Sequence, residues 1–100
     1  MLEGNLSSFL SKVKAVQYLD LSRNSLSGEI PKKLEIFASL QSLNLSFNNL
    51  QGEVPKDGVF GNVSSFSVSG NKKLCGGISE LVLPKCFSQE SMKTRGKFFF

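Results

Sequence analysis

The sequence contains no histidine and only two cysteines among its 100 residues. Histidine is the commonest general base in enzymes and the commonest metal ligand in proteins, so its absence argues against catalysis and against a metal centre. A zinc site needs about four ligands, and one pair of cysteines does not supply them. We therefore expect this chain to contain no catalytic residues, no metal site and no cofactor.

The chain also lacks a long apolar run and an extended basic cluster. A membrane span needs about 20 apolar residues, and the three phenylalanines at residues 98–100 could only be the start of one. Polar side chains interrupt residues 2–13, which does not fit the apolar core of a signal peptide. The net charge is +4, but the basic residues are mostly scattered. Nucleic-acid binding favours a clustered basic face with stacking aromatics, so we expect no nucleic-acid partner.

Two segments of the chain repeat each other at a spacing of 24 residues. Residues 19–31 read L-D-L-S-R-N-S-L-S-G-E-I-P, and residues 43–55 read L-N-L-S-F-N-N-L-Q-G-E-V-P. The shared pattern L-x-x-L-x-L-x-x-N-x-L is that of a leucine-rich repeat, in which each unit forms one turn of a solenoid. Apolar and polar residues alternate only around Leu19-Asp20-Leu21, which predicts one short strand per turn. The predicted fold is a leucine-rich repeat solenoid with a short parallel β-sheet on the concave side and turns and short helical segments elsewhere.

The repeat register divides the chain into five segments. We expect a partial repeat at residues 1–15, complete repeats at residues 16–39 and 40–63, a degenerate repeat with a C-terminal cap at residues 64–86, and a polar tail at residues 87–100. The degenerate repeat keeps the pattern with one residue dropped, at Phe66, Val68, Asn71 and Leu74. A terminal structure of this kind would cover the apolar side of the last turn.

An asparagine follows the predicted strand in each repeat. Where a strand ends, backbone N–H and C=O groups lose their sheet partners, and a carboxamide side chain can both donate to and accept from them. We expect a structural ladder, rather than a binding role, for Asn24, Asn48 and Asn71.

The two cysteines, Cys75 and Cys86, lie in a segment rich in glycine and proline. Two interpretations are open, a disulfide and a pair of free thiols. The absence of further metal ligands favours the disulfide, which would tie the C-terminal cap together and imply an oxidising compartment.

Both complete repeats extend the pattern to L-x-x-L-x-L-S-x-N-x-L-x-G-x-[IV]-P, which resembles the plant-specific type of leucine-rich repeat. The segments G-V-F-G-N-V-S at residues 58–64, G-N-K-K-L-C-G-G at residues 70–77 and L-P-K-C at residues 83–86 are similar to the end of the ectodomain in plant receptor-like kinases, within the EF-Tu receptor-like subfamily. The resemblance implies an extracellular, glycosylated, membrane-anchored receptor with an intracellular serine/threonine kinase. No kinase motif such as H-R-D is present, so we expect no kinase activity in this chain.

Solvent-facing strand residues form the default recognition surface of such a solenoid. Tyrosine, phenylalanine and arginine are among the side chains that dominate interface energetics, and this set contains one of each. The predicted partner-binding residues are Tyr18, Asp20, Ser22, Arg23, Ser42, Asn44, Ser46 and Phe47. The resemblance implies a protein or peptide ligand, with a co-receptor ectodomain as a further candidate.

Three N-x-[ST] sequons mark candidate glycosylation sites, at Asn5, Asn44 and Asn62. Their use depends on secretion. A glycan on Asn44 would project from its strand and cover part of the predicted recognition surface.

Two functions are compatible with these patterns. The first is a protein-binding fragment of a receptor-like kinase ectodomain, held at the extracellular face of the plasma membrane through a span that this chain lacks. The second is a small stand-alone leucine-rich repeat protein that acts as an adaptor or inhibitor.

Overall fold

The computed structural model describes residues 3–6 and 15–87 of the chain. Residues 7–14 of the predicted partial repeat and residues 88–100 of the predicted tail, including the three terminal phenylalanines, lie outside this description. The β-strands are β1 Glu3–Asn5, β2 Tyr18–Asp20, β3 Ser25–Glu29, β4 Ser42–Asn44, β5 Asn49–Val54, β6 Phe66–Ser67 and β7 Lys73–Gly76. The 3-10 helices are Lys32–Ile36, Gly58–Gly61 and Ser79–Leu81.

The strands form two sheets in which every pair of neighbours is parallel. One sheet has the order β2-β4-β6 and the other has the order β1-β3-β5-β7. In the three-stranded sheet Leu19 lies beside Leu43, 24 residues further on, whereas Leu43 lies beside Phe66, only 23 residues further on. The predicted loss of one residue in the degenerate repeat is therefore confirmed by the strand register.

The four-stranded sheet shows that the prediction of one short strand per turn is wrong. Strands β3 and β5 follow β2 and β4 within the same turns and pair with each other in parallel. Leu26 is buried in β3 and Ile30 is buried directly after its end, but the residue midway between them is Gly28, with φ +84°. Because glycine adds no apolar side chain and is typical of turns, it hides the alternation in the sequence.

Apolar side chains from both sheets and from the first two helices form one buried core. Leu34 belongs to the helix Lys32–Ile36, which begins directly after Pro31. Val59 and Phe60 belong to the helix Gly58–Gly61, and Phe60 is fully buried against Phe66 with ring centroids 5.3 Å apart in an edge-to-face arrangement. The helices thus close the core on the side that the strands leave open.

Glu35 links the first two helices. Its Oε2 accepts hydrogen bonds from the backbone N–H groups of Lys56 and Asp57, both at 3.0 Å. The bond from the Asp57 N–H holds the pKa of the Glu35 carboxyl below its ordinary value. Gly58 follows directly and approaches the Glu35 carbonyl so closely that any β-carbon would collide with it. Consecutive turns are therefore held in one relative position on the helix side as well.

The carboxamide of Asn48 joins two turns where their strands end. Its Nδ2 donates to the carbonyl oxygens of Leu45, in its own turn, at 3.1 Å and of Leu21, in the preceding turn, at 3.0 Å. Its Oδ1 accepts the backbone N–H of Leu26 at 3.0 Å. One side chain thus pairs backbone donors and acceptors that the sheets do not reach.

Asn71 makes the corresponding bonds one turn later. Its Nδ2 donates to the Leu45 carbonyl at 2.9 Å, and its Oδ1 accepts the Leu50 N–H at 3.0 Å. In the first complete repeat, the Nδ2 of Asn24 donates to the Leu21 carbonyl of its own turn at 2.9 Å. These three side chains make up the asparagine ladder.

Cys75 and Cys86 form a disulfide, with their Cα atoms 5.0 Å apart, so the alternative of two free thiols is wrong. Cys75 lies in β7, the last strand of its sheet among the described residues. Across the free edge of β7, the Gly76 N–H donates to the Pro84 carbonyl at 2.8 Å. The segment that ends at Cys86 therefore covers this edge.

The ladder makes a specific prediction about stability. Asn48→Ala removes the partners of several backbone groups at once, and we expect a loss of about 1–3 kcal/mol in the free energy of unfolding. Asn49→Ala is the matched control because that side chain is exposed on β5, and its effect should stay within about 0.5 kcal/mol. Urea unfolding measures both values, and similar losses at the two positions would contradict the ladder.

Candidate functional site

The solvent side of the three-stranded sheet carries most of the predicted partner-binding residues. Tyr18 lies beside Ser42, and Asp20 lies beside Asn44 on the next strand. Tyr18 is 68% exposed, and its hydroxyl donates to Gln41 Oε1 at 3.3 Å. We use the name strand face for these four side chains and the two that follow at the strand ends: Tyr18, Asp20, Ser42, Asn44, Arg23 and Phe47.

Asp20 and Asn44 are held by equivalent turns at the ends of β2 and β4. Asp20 Oδ1 accepts hydrogen bonds from the Ser22 hydroxyl at 2.6 Å and the Ser22 N–H at 3.0 Å. Asn44 Oδ1 accepts the same pair of bonds from Ser46, also at 2.6 Å and 3.0 Å. The Ser22 hydroxyl, followed by its N–H, lowers the pKa of the Asp20 carboxyl. The strand face thus carries an ionised side chain in one turn and a neutral one at the same place in the next.

The prediction that Ser46 faces solvent is wrong, because only 6% of its surface is exposed. Ser46 lies in the middle of three stacked turns. Its carbonyl accepts the Arg23 N–H at 2.9 Å on one side, and on the other side the neighbouring Phe47 N–H donates to the Ser69 carbonyl at 2.7 Å. Its counterpart Ser22 is only half-buried. Ser46 is therefore not part of the strand face.

Arg23 and Phe47 stack on each other at the strand ends. The guanidinium carbon of Arg23 lies 4.8 Å from the Phe47 ring centroid, which is a cation–π distance. Both residues have φ +57°, a left-handed conformation that costs a non-glycine residue about 1–2 kcal/mol. Despite the stack, Phe47 remains 49% exposed.

Gly70 occupies the same position in the third turn, also with a positive φ of +78°. The Phe47 ring packs so closely on it that a β-carbon there would lie 2.5 Å from Phe47 Cδ1. The ring is thus held between the Arg23 guanidinium of one turn and bare backbone of the next.

Gly70 and Gln41 are absent from the residues predicted for this surface. The signal for Gly70 is present in three S-x-N triplets, at residues 22–24, 46–48 and 69–71, because the middle position holds arginine, phenylalanine and then glycine. No pattern indicates Gln41, since its contact with Tyr18 depends on which side-chain conformations the neighbouring turns allow.

A groove of about 750 Å³ lies beside the four-stranded sheet, with Glu29, Glu35 and Glu53 in its lining. The Glu35 carboxylate is already engaged by the backbone of the next turn. Over residues 3–6 and 15–87, no three histidine, cysteine, aspartate or glutamate side chains are grouped so that they could hold a metal ion. Within the same residues no helix has the length and apolar character needed to cross a membrane.

Comparison with protein families identifies the repeats. The family model for the Leucine Rich Repeat matches residues 15–36 and 39–58. The chain contains leucine-rich repeats in these two segments. These segments carry β2 to β5, and therefore all six residues of the strand face and both turns that the Asn48 carboxamide joins.

The chain is similar to the LRR receptor-like serine/threonine-protein kinase EFR of Arabidopsis thaliana, with 49% identity over 86 residues, covering 86% of this chain and 8% of the relative. A probable LRR receptor-like serine/threonine-protein kinase of the same plant is 48% identical over 80 residues, covering 80% of this chain and 8% of that relative. The predicted resemblance to plant receptor-like kinases is confirmed. The chain spans only a small part of these relatives, whose names describe the whole proteins. No solved structure matches the chain.

The contact between Phe47 and Gly70 can be tested by a double-mutant cycle. Gly70→Ala should cost at least about 1–2 kcal/mol, because it places a β-carbon in the left-handed region and displaces the ring. When Phe47 is already alanine, Gly70→Ala has only the backbone cost. The effects of the two changes on the free energy of unfolding, measured with urea, should therefore differ from additivity by about 0.5 kcal/mol or more.

Gly61→Ala is the control for this cycle, since its nearest neighbour is a backbone oxygen at 3.4 Å and its φ is not positive. It should behave the same with and without Phe47. Additive effects of Gly70→Ala and Phe47→Ala would show that the ring does not rest on Gly70.

Proposed function

We propose that the strand face binds a protein or peptide, and that the chain is part of the ectodomain of a plant receptor-like kinase. The similarity to two receptor-like kinases supports the second half of this proposal. The observation that supports binding at the strand face is the Arg23–Phe47 stack, which is held in a fixed position although Phe47 is half-exposed at the surface.

The stack has the properties of an interface anchor. Tyrosine and arginine are enriched among residues whose removal weakens protein–protein binding by more than about 2 kcal/mol, and aromatic residues in general are enriched at interface cores. Tyr18 and Arg23 are exposed, and the Phe47 ring is already immobilised by Arg23 and Gly70. A partner would therefore meet apolar and cationic groups whose ordering has little further entropic cost.

The charges of the strand face favour a partner of mixed character. Asp20 supplies one negative charge and Arg23 one positive charge, while Ser42 and Asn44 are neutral. A surface of this kind complements a peptide or protein that offers both polar and apolar groups better than it complements a polyanion. A co-receptor ectodomain is a second candidate partner, of the same chemical class.

The proposed setting is the extracellular face of the plasma membrane. The Cys75–Cys86 disulfide supports it, because disulfides persist in oxidising compartments. In this setting the chain is a section of a leucine-rich repeat solenoid, with complete repeats at residues 16–39 and 40–63 and a disulfide-tied cap within residues 64–86. The covered edge of β7 supports the role of the last segment as a cap. The proposed function of the chain includes no catalytic step.

Site-specific photo-crosslinking tests the strand face. A benzophenone amino acid replaces Tyr18 in the full chain, which is then incubated with plant plasma-membrane extract and irradiated. We expect one defined adduct, identified by mass spectrometry, and we expect Phe47→Ala in the same chain to weaken binding of the purified partner by about tenfold or more in titration calorimetry.

Ile36 provides the matched control position. It is 72% exposed, slightly more than Tyr18, but it belongs to the helix Lys32–Ile36 and not to the strand face. The probe at Ile36 should give no such adduct, and Ile36→Ala should leave the affinity unchanged. An adduct formed at Ile36 and not at Tyr18, or an affinity that Phe47→Ala does not alter, would contradict the proposed binding surface.

A further inference from the structure

We infer that Asn62 is the N-glycosylation site of this chain, and that the sequons at Asn44 and Asn5 remain unmodified. The inference rests on the proposed extracellular setting and adds to it a modification at a residue that is not part of the strand face. The three sequons are equivalent as motifs, but their asparagines lie in different structural surroundings.

Asn62 lies in an exposed turn between the helix Gly58–Gly61 and strand β6. Its Oδ1 accepts hydrogen bonds from the Ser64 hydroxyl at 2.8 Å and the Ser64 N–H at 2.9 Å. Asn62, Val63 and Ser64 are all exposed, and Val63 keeps 45% of its surface in contact with solvent. The turn thus occupies the carboxamide oxygen, while the whole sequon stays accessible to an enzyme and to a bulky product.

Asn44 forms the same local turn in a less accessible place. It is half-buried on the central strand β4, with Asp20 and Ser67 directly beside it on the flanking strands. Neighbouring strands are about 4.8 Å apart, which leaves little room for a sugar ring between those side chains. The serine of this sequon, Ser46, is buried under the adjacent turns. Asn44 and Asn62 therefore form the same local turn, but only the sequon at Asn62 is exposed to solvent throughout.

Asn5 is exposed, but its side chain lies over Gly28 of the next strand in the four-stranded sheet. Its Nδ2, the atom that would carry the glycan, lies 3.0 Å from the place where a β-carbon on Gly28 would stand. Asn5 itself is part of β1, paired with Ser27 of β3. Modification at this position would require the carboxamide to leave the strand it packs on.

The modification is a glycosyl transfer from a lipid-diphosphate-linked oligosaccharide. Asn62 Nδ2 forms a bond to the anomeric carbon of the first sugar, and the bond from that carbon to the diphosphate oxygen breaks. The lipid diphosphate leaves with the bonding electron pair, and the amide nitrogen loses one proton. No oxidant or reductant is needed.

Glycan mapping on secreted protein tests the inference without any binding partner. The full chain is expressed behind a cleavable secretory leader in eukaryotic cells, and protein from both medium and cell lysate is mapped by peptide mass before and after peptide N-glycosidase treatment. We expect a glycan on the peptide that contains Asn62 and none on those that contain Asn44 or Asn5.

Aspartate substitutions supply matched variants, because Asp20 shows that a carboxylate forms the same turn with the serine two residues later. Asn62→Asp should remove the whole glycan mass, and Asn44→Asp should remove none. Ser64→Ala, which retains Asn62, should also abolish the glycan. A glycan on Asn44 or Asn5, or no glycan on Asn62 in the unmutated chain, would overturn the inference, whatever the crosslinking experiment shows.

Discussion

The structure depends on the bonds that one asparagine per turn makes with the backbone of two turns. Where each short strand ends, the chain leaves one sheet and enters the other. Some backbone groups in between bond to the backbone of the next turn, and others bond to an asparagine side chain. The Nδ2 atoms of Asn48 and Asn71 donate to the carbonyl oxygens of Leu21 and Leu45, respectively. The Oδ1 atoms of the same two side chains accept the N–H groups of Leu26 and Leu50. Because an unpaired buried backbone group costs about 1–3 kcal/mol, this position tolerates few other side chains, and it fixes how one turn lies on the next.

The strand face follows from that fixed stacking. Equivalent residues of consecutive turns come to lie side by side, so a change of side chain at one repeat position becomes a contact between turns. The row formed by Arg23, Phe47 and Gly70 shows this most clearly, since a cation covers one side of the ring and bare backbone supports the other. All three residues have positive φ. The strain at Arg23 and Phe47 is offset by contacts that a glycine there could not make, and those contacts leave an ordered aromatic group at the surface.

The sequence predicts the repeat class and the strand register, because the leucines and asparagines recur at a nearly constant spacing. The sequence favours the disulfide over two free thiols, and the structure decides between them. The four-stranded sheet could not be predicted, because Gly28 interrupts the apolar alternation that marks a strand. The burial of Ser46 is equally hidden, as it depends on the turns on both sides of it and not on its own repeat. Features set by the repeat period could thus be predicted, whereas a strand interrupted by glycine and burial by neighbouring turns required the structure.

Hydrogen exchange at two backbone amides tests the role of the asparagines most directly. The N–H groups of Leu26 and Leu50 donate to the carboxamide oxygens of Asn48 and Asn71. By contrast, the Leu43 N–H of β4 donates to the backbone carbonyl of Ser65, the residue directly before β6. If the carboxamides hold the turns together, Leu26 and Leu50 should be protected to within about tenfold of Leu43 under native conditions. Exchange at Leu26 and Leu50 as fast as at the exposed Lys72, with Leu43 still protected, would contradict the account.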